Sequence, residues 1–409
     1  MLGRRTFLGA TAAAGLAGAA SPPPRKRLAI VTTEWRYRSH AWHMGERFLG
    51  GYPVQGRWHR PALDVVSAYV DQFPKNDLSR QRAKESGFTI HKTIAEALRC
   101  GTGKLAVDAV LVIGEHGDYP DNDIGQKKYP RYEFFKQVVE VFEKDGRSVP
   151  VFNDKHLSWH WKWAKEMADA SRRLGFAFLA GSSLPVTWRM PAIDLPHGAE
   201  VEEAMCVSNG RVDSYDFHAL EVIQCMAERR KGGETGVKAV EAVRGAGVWE
   251  LLAGKTGELF EACLCRSQML AQAPTYSHRH PTATQMREWV KEPVAYRIEY
   301  RDGLRATMLL MNGLVQDFTF AARLKGRAEP LSTLFYLPGS PNIGYSAALM
   351  AKAEETFMTG KAPYPIERTL LTTGLVEAGM KSLAAKKRLE TPWLAVKYAV
   401  PRESLFWRE

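Results

Sequence analysis

Short apolar runs alternate with amphipathic stretches from Leu28 to about Leu179. Leu28–Thr32, Asp64–Val70, Phe88–Ile90, Asp108–Ile113, Val149–Phe152 and Ala177–Leu179 read as strands. Between them the spacing predicts helices around Ala41–Leu49, Leu78–Ser86, Thr93–Arg99, Tyr132–Lys144 and Trp161–Leu174. The punctuation agrees: Gly87, Asp145-Gly146 and Gly175 stop helices, and Thr93 opens one. The Asp108–Ile113 run is apolar and reads as buried on both faces. This alternation predicts an α/β domain with a doubly wound parallel sheet and right-handed crossovers.

After Pro191 the pattern changes. Glu200–Val207 reads as a strand and Asp213–Arg229 as a helix. Val294–Tyr300, Ala306–Met311, Val315–Ala322 and Leu331–Tyr336 read as antiparallel strands, with turns such as Arg301-Asp302-Gly303 and Met311-Asn312-Gly313 between them. Helices over Ser346–Thr359 and Pro365–Leu383 close the chain. The second half is therefore expected to be an open-sheet α+β domain. The expected division is 25–190 for the first domain and 191–409 for the second.

The N-terminus stands outside this pattern. Arg4-Arg5-Thr6-Phe7-Leu8 is a twin-arginine signature, and the small-residue run Gly9 to Ala20 is a weakly hydrophobic core with a cleavage-like Ala17-Gly18-Ala19. Pro22-Pro23-Pro24 makes a stiff spacer, so residues 1–24 are expected to be signal and linker. The run is too short and too rich in Ala and Gly to be a stable membrane span. Export to the periplasm or beyond follows as an expectation.

Composition changes little. The 409 residues suffice for two cores, and 45% hydrophobic with 25% charged residues is ordinary for a soluble protein. The net charge of +11 is scattered outside the N-terminal region. It favours anionic ligands mildly, and no basic motif with interleaved aromatics points to nucleic acid. Lys386-Lys387-Arg388 reads as the end of a helix. Cys100, Cys206, Cys225, Cys263 and Cys265 form no disulfide framework and read as small buried hydrophobes.

The chemistry concentrates at strand ends. Val149–Phe152 runs into Asn153-Asp154-Lys155-His156, which places an acid, a lysine and a histidine at the carboxyl edge of the sheet. Strand one ends in Thr32-Thr33-Glu34-Trp35-Arg36-Tyr37-Arg38-Ser39-His40, with no glycine before Gly45. A dinucleotide site wants glycines there, so that backbone amides reach the pyrophosphate. Thr32, Thr33, Arg36 and Ser39 could still hold phosphate through side chains, and Asp71 stands where a ribose-binding acid belongs.

Two insertions, Gly50–Arg60 and Glu115–Arg131, follow elements of this half. The Glu115-His116-Gly117-Asp118 turn should lie near Lys155. His156 and His160, four apart, lack the acid and third ligand of a zinc motif, so no metal is expected. Trp159, Trp161 and Trp163 can stack on a sugar or pack under the loop. His278-Arg279-His280, in a Pro/Thr-flanked loop, is a weak anion or metal candidate.

The order of elements resembles the Gfo/Idh/MocA oxidoreductases. Val65–Asp71 with Ala83–Leu98, then Asp108–Ile113, and finally Val149–His156 carry the resemblance. The family ends that last strand in Glu-Lys-Pro; here Asp154 and Lys155 fill the first two places and His156 replaces the proline. The family also places an Asp and a His four residues apart on a helix of its second domain. Ser214 and His218 match those places, with Glu221 following.

The resemblance implies an N-terminal Rossmann domain, NAD or NADP as cofactor, and a carbohydrate or cyclitol substrate. Lys155 would bind the reacting oxygen, His218 would move its proton, and Asp154 and Glu115 would lie beside the cofactor. His116, Ser214, Glu221 and Trp159 would touch substrate. Oligomer contacts through the second sheet are implied as well. The missing glycines leave open a cofactor-free sugar-binding or accessory protein on the same fold.

Overall fold

The computed structural model describes residues 24–272, 281–340 and 343–408. The twin-arginine segment and His278-Arg279-His280 lie outside the described residues.

The first half comprises β1 (Lys26–Thr32), a hairpin of β2 (Tyr52–Val54) and β3 (Arg57–His59), β4 (Leu63–Val70), β5 (Thr89–His91), β6 (Ala109–Ile113), β7 (Val151–Asp154) and β8 (Phe178–Gly181). Apart from the hairpin these form one parallel sheet in the order β5-β4-β1-β6-β7-β8. The order reverses between β1 and β6, which opens a crevice at the carboxyl edge. β6 and β7 are buried along their whole length, as their apolar runs require. Helix Ile94–Arg99 starts at a capping box between Thr93 and Glu96. Gly87, Gly146 and Gly175 end helices in the left-handed conformation.

The second half comprises β9 (Trp188–Met190), β10 (Val201–Ser208), β11 (Val237–Arg244), β12 (Val294–Tyr300), β13 (Arg305–Leu310), β14 (Phe318–Leu324), β15 (Leu331–Tyr336) and β16 (Leu389–Glu390). They form one sheet in the order β16-β11-β12-β13-β10-β14-β15-β9. The expectation of purely antiparallel strands fails at its centre, where β10 and β13 pair in parallel. A long excursion separates those two strands, and that length is what parallel pairing needs.

Helices Tyr215–Ala227 and Ile366–Ala385 cover one face through Phe217, Leu220, Leu371 and Leu375. Helix Gly254–Leu264 covers part of the other. The rest of that face bears Glu241, Arg297 and Arg305 around an open depression.

The two halves interlock. β9 crosses to the edge of the second sheet, while helix Tyr345–Thr359 returns to the first. Its Ala348, Leu349, Ala353 and Phe357 pack with Leu28, Ile30 and Phe48. No described helix is long and apolar enough to cross a membrane.

Candidate functional site

At the crevice the end of β7 turns sharply. Lys155 has φ +61° and His116, after β6, has φ +70°. Left-handed backbone at non-glycine residues costs roughly 1–3 kcal/mol and persists only where the surroundings impose it. Here they do: the Lys155 amide donates to the Gly181 carbonyl at 3.0 Å. The turn aims the Lys155 ammonium at Glu115 Oε1, 2.9 Å away, with both side chains buried. The other Glu115 oxygen accepts from Arg131. Arg131 in turn lies 3.1 Å from His156 Nε2. Burial opposes the Glu115 charge, but Lys155 and Arg131 outweigh it and hold the carboxyl well below the usual range.

Beside this pair, His40 Nδ1 meets Asp154 Oδ2 at 2.6 Å. Asp154 is fully buried and its Oδ1 has no partner among the described residues. The His40 ring stands edge-on to His43 and His116, with centroids 4.7 and 5.0 Å away. Across the crevice, helix Tyr215–Ala227 presents Tyr215 and His218, with Ser214 just before it. Phe318 of β14 and Tyr345 of the returning helix complete the wall. These groups enclose a cavity of about 210 Å³.

Burial holds the imidazoles of His43, His116 and His218 below their ordinary pKa. Burial lowers His116 to about 4, and the neighbouring His40 adds to the shift. Burial and then Lys155 push His218 well below its ordinary value, and burial and His40 do the same to His43. His43 Nδ1, His116 Nε2 and His218 Nδ1 lack partners within the described chain. The arrangement offers a fixed cation, neutral donors and acceptors, and an acid–histidine pair to one small polar guest. Among the described residues no three His, Cys, Asp or Glu side chains are arranged to hold a metal ion.

Of the residues singled out in the sequence, the structure brings together Lys155, His218, Asp154, Glu115, His116 and Ser214. Two residues expected to touch substrate do not line the cavity. Glu221 turns away and accepts from the Ser182 amide and hydroxyl at 2.7 and 2.5 Å. It faces inward from the helix, so burial raises its carboxyl to about 8. Trp159 packs edge-on against Trp163, under Lys128 and outside the cavity. His160 caps helix Trp161–Leu174 through the Lys162 amide, and His156 precedes that helix, so the two share no helical face.

Sequence reasoning missed His40, His43, Ser182, Ser183 and Tyr345. Position gave a signal for Ser182 and Ser183, which follow β8 at the same edge as Lys155. None existed for Tyr345, on a helix from the far end of the chain.

The residues assigned to a dinucleotide serve the chain itself. Thr32 and Thr33 donate to the Glu34 and Glu115 carbonyls. Arg36 pairs with Glu34 at 2.6 Å. Ser39 Oγ accepts from the Arg36 and Trp42 amides, which occupies donors at the helix start. Asp71 accepts from Tyr69 at 2.7 Å and Tyr119 at 2.6 Å.

The loops are also laced to one another. Gln72 and Leu78 donate to the Thr33 and Trp35 carbonyls, and Gln72 exchanges two hydrogen bonds with Asp118. Trp35 is buried and stacks on Phe88. The turn after β1 therefore lacks the glycine-lined amides of a Rossmann pyrophosphate site, and its hydroxyls are already bonded within the chain.

No protein-family model and no curated protein sequence matches the chain. Solved structures do. GenD2 from gentamicin A biosynthesis, in complex with NAD, aligns over 92% of this chain and 99% of its own at 12% identity and TM-score 0.56. Myo-inositol dehydrogenase from Lactobacillus casei, in complex with NAD(H) and myo-inositol, aligns over 93% and 100% at 9% identity and TM-score 0.55. A myo-inositol dehydrogenase from Corynebacterium glutamicum aligns over 90% and 99% at 10% identity and TM-score 0.54. The fold of this chain is therefore that of the Gfo/Idh/MocA-type dehydrogenases: a Rossmann-like parallel sheet followed by an open-sheet α+β domain.

Proposed function

We propose that this protein binds a carbohydrate or cyclitol in the cavity at the end of β7 and moves a proton at one of its hydroxyls. The observation that carries this reading is the convergence of Lys155, His218, His116 and the His40–Asp154 pair on one small enclosed space. At about 210 Å³ it lies below the usual range for drug-sized ligands, which suits a single sugar ring. Each hydroxyl of such a ring both donates and accepts, as do the neutral imidazoles around it.

The Lys155 ammonium, held by Glu115, would contact a hydroxyl oxygen and stabilise its alkoxide character. His218, kept neutral by burial and the nearby lysine, would take the proton. Asp154 would fix the His40 ring and leave its Nε2 for a second hydroxyl. The twin-arginine segment carries the further reading that this happens after export.

An NAD(P)-linked oxidation of the same ring is the second reading, favoured by the likeness to dehydrogenases solved with NAD. It requires the loops after β1, β4 and β6 to part. Thermal shift with a panel of monosaccharides and cyclitols tests the first reading. A shift that disappears in Lys155→Met and His218→Ala is expected; none for any compound overturns it. Denaturing the purified protein and assaying for released NAD(P) by absorbance and mass spectrometry tests the second. Stoichiometric dinucleotide would make oxidation the working model.

A further inference from the structure

The cavity has a neighbour. A second cleft of about 190 Å³ lies between Trp42, Glu46, Arg47 and Trp58. His43 lines both spaces, which places them side by side. His43 is itself almost fully buried, and its Nδ1 has no partner within the described chain.

The far wall of this cleft is unusual. Trp58, the middle residue of β3, is 62% exposed, yet its ring is tied to the backbone. Its indole N–H donates to the Gly50 carbonyl at 2.6 Å. Gly51, at φ +80°, gives the hairpin base its close approach: a Cβ there would lie 2.3 Å from the His59 carbonyl and 2.9 Å from the Trp58 indole nitrogen.

The hairpin is fixed in turn to the returning helix. Glu354 accepts from the Tyr52 hydroxyl at 2.5 Å and from the Ala62 amide at 2.7 Å, and lies 2.9 Å from His59 Nε2. Trp42 is braced from the other side by Tyr37, edge-on with centroids 4.9 Å apart. Aromatics gathered in one surface patch, as Trp42 and Trp58 line this cleft with Tyr37 against Trp42, mark binding surfaces. A pyranose offers such a ring one flat face of C–H groups.

We infer that the ligand is longer than one ring: a glycoside or oligosaccharide whose first ring fills the cavity over Lys155 and whose next ring lies between Trp58 and Trp42, with His43 beside the link. This rests on the carbohydrate reading of the cavity and adds a second subsite to it.

The test is binding of matched sugars by calorimetry. The probes are glucose, galactose, mannose and xylose, with α- and β-linked di- and trisaccharides of each. For the sugar that binds, the disaccharide is expected to bind at least tenfold tighter than its monosaccharide. Trp58→Ala should reduce the disaccharide to the level of the monosaccharide, and Lys155→Met should abolish both. Trp58 is exposed, so its removal leaves the core intact. Equal affinity for mono- and disaccharide in the unaltered protein, or a ratio untouched by Trp58→Ala, overturns the second subsite alone. Binding of none of these sugars, or binding indifferent to Lys155→Met, overturns the subsite together with the carbohydrate form of the cavity reading; the cyclitol form is decided by the thermal-shift panel.

Discussion

Lys155 reaches Glu115 at 2.9 Å from the neighbouring strand end, and Arg131 takes the second oxygen of the same carboxylate. One anion thus neutralises two buried cations. Replacing Glu115 by Gln leaves both cations without a counter-charge, which costs about 3–5 kcal/mol when a buried pair is broken. Lys155→Met leaves Glu115 with Arg131 and should cost clearly less. Urea unfolding of the two variants checks the order; equal losses would mean that the carboxylate is not the shared centre.

Acid should find the same carboxylate. Its folded pKa is depressed, so its stabilising effect is present above the unfolded value of about 4.3 and is lost as pH falls below it. Glu221 behaves oppositely. Its folded value is raised to about 8 by burial, so its contribution is full below about 4.3 and drains away as pH rises through 8. Glu221→Gln should flatten the decline in melting temperature between pH 6 and 9. An unchanged alkaline limb would show that Glu221 does not titrate there.

Trp35 tests what became of the nucleotide turn. The ring is fully buried, stacks on Phe88 and donates to Glu46 at 3.0 Å. Trp35→Ala should therefore cost about 3–5 kcal/mol, as large core aromatics do. A near-neutral effect would mean that the turn is loose and able to swing aside.

Gly181 links the end of β8 to the site. At φ +138° an added Cβ would lie 2.7 Å from Glu221 Oε1 and 2.8 Å from the Tyr364 hydroxyl. Its carbonyl also holds the Lys155 amide. Gly181→Ala should weaken binding in the cavity and lower the melting temperature together, read by calorimetry and thermal unfolding on one sample.

Much of this was legible in the sequence because the signals were local. The apolar run ending at Ile113 read as a buried strand, and Thr93 announced the start of its helix. Lys155 was legible because a lysine at the end of a buried strand needs a counter-charge or a ligand close by. β11 was missed because Lys238, Glu241 and Arg244 break its apolar pattern. His40 was missed because its meaning depends on Asp154, a residue 114 positions away. Glu221 was misplaced because helical spacing alone does not say which side of a helix faces the cavity. The turn after β1 read as lacking a phosphate cradle, but nothing local revealed that Tyr119 would bond Asp71 and Gln72 would bond Asp118 and Thr33 beside it.

The returning helix Tyr345–Thr359 has a consequence for how this chain can be divided. It covers Leu28 and Ile30, supplies Tyr345 to the cavity and Glu354 to the hairpin. A fragment ending at Met190 would therefore carry a bare apolar sheet face, a hairpin without its anchor and a cavity open on one side. In evolutionary terms the halves are not modules to be exchanged: a Rossmann half from another protein would arrive without the surface that this helix has been shaped to meet.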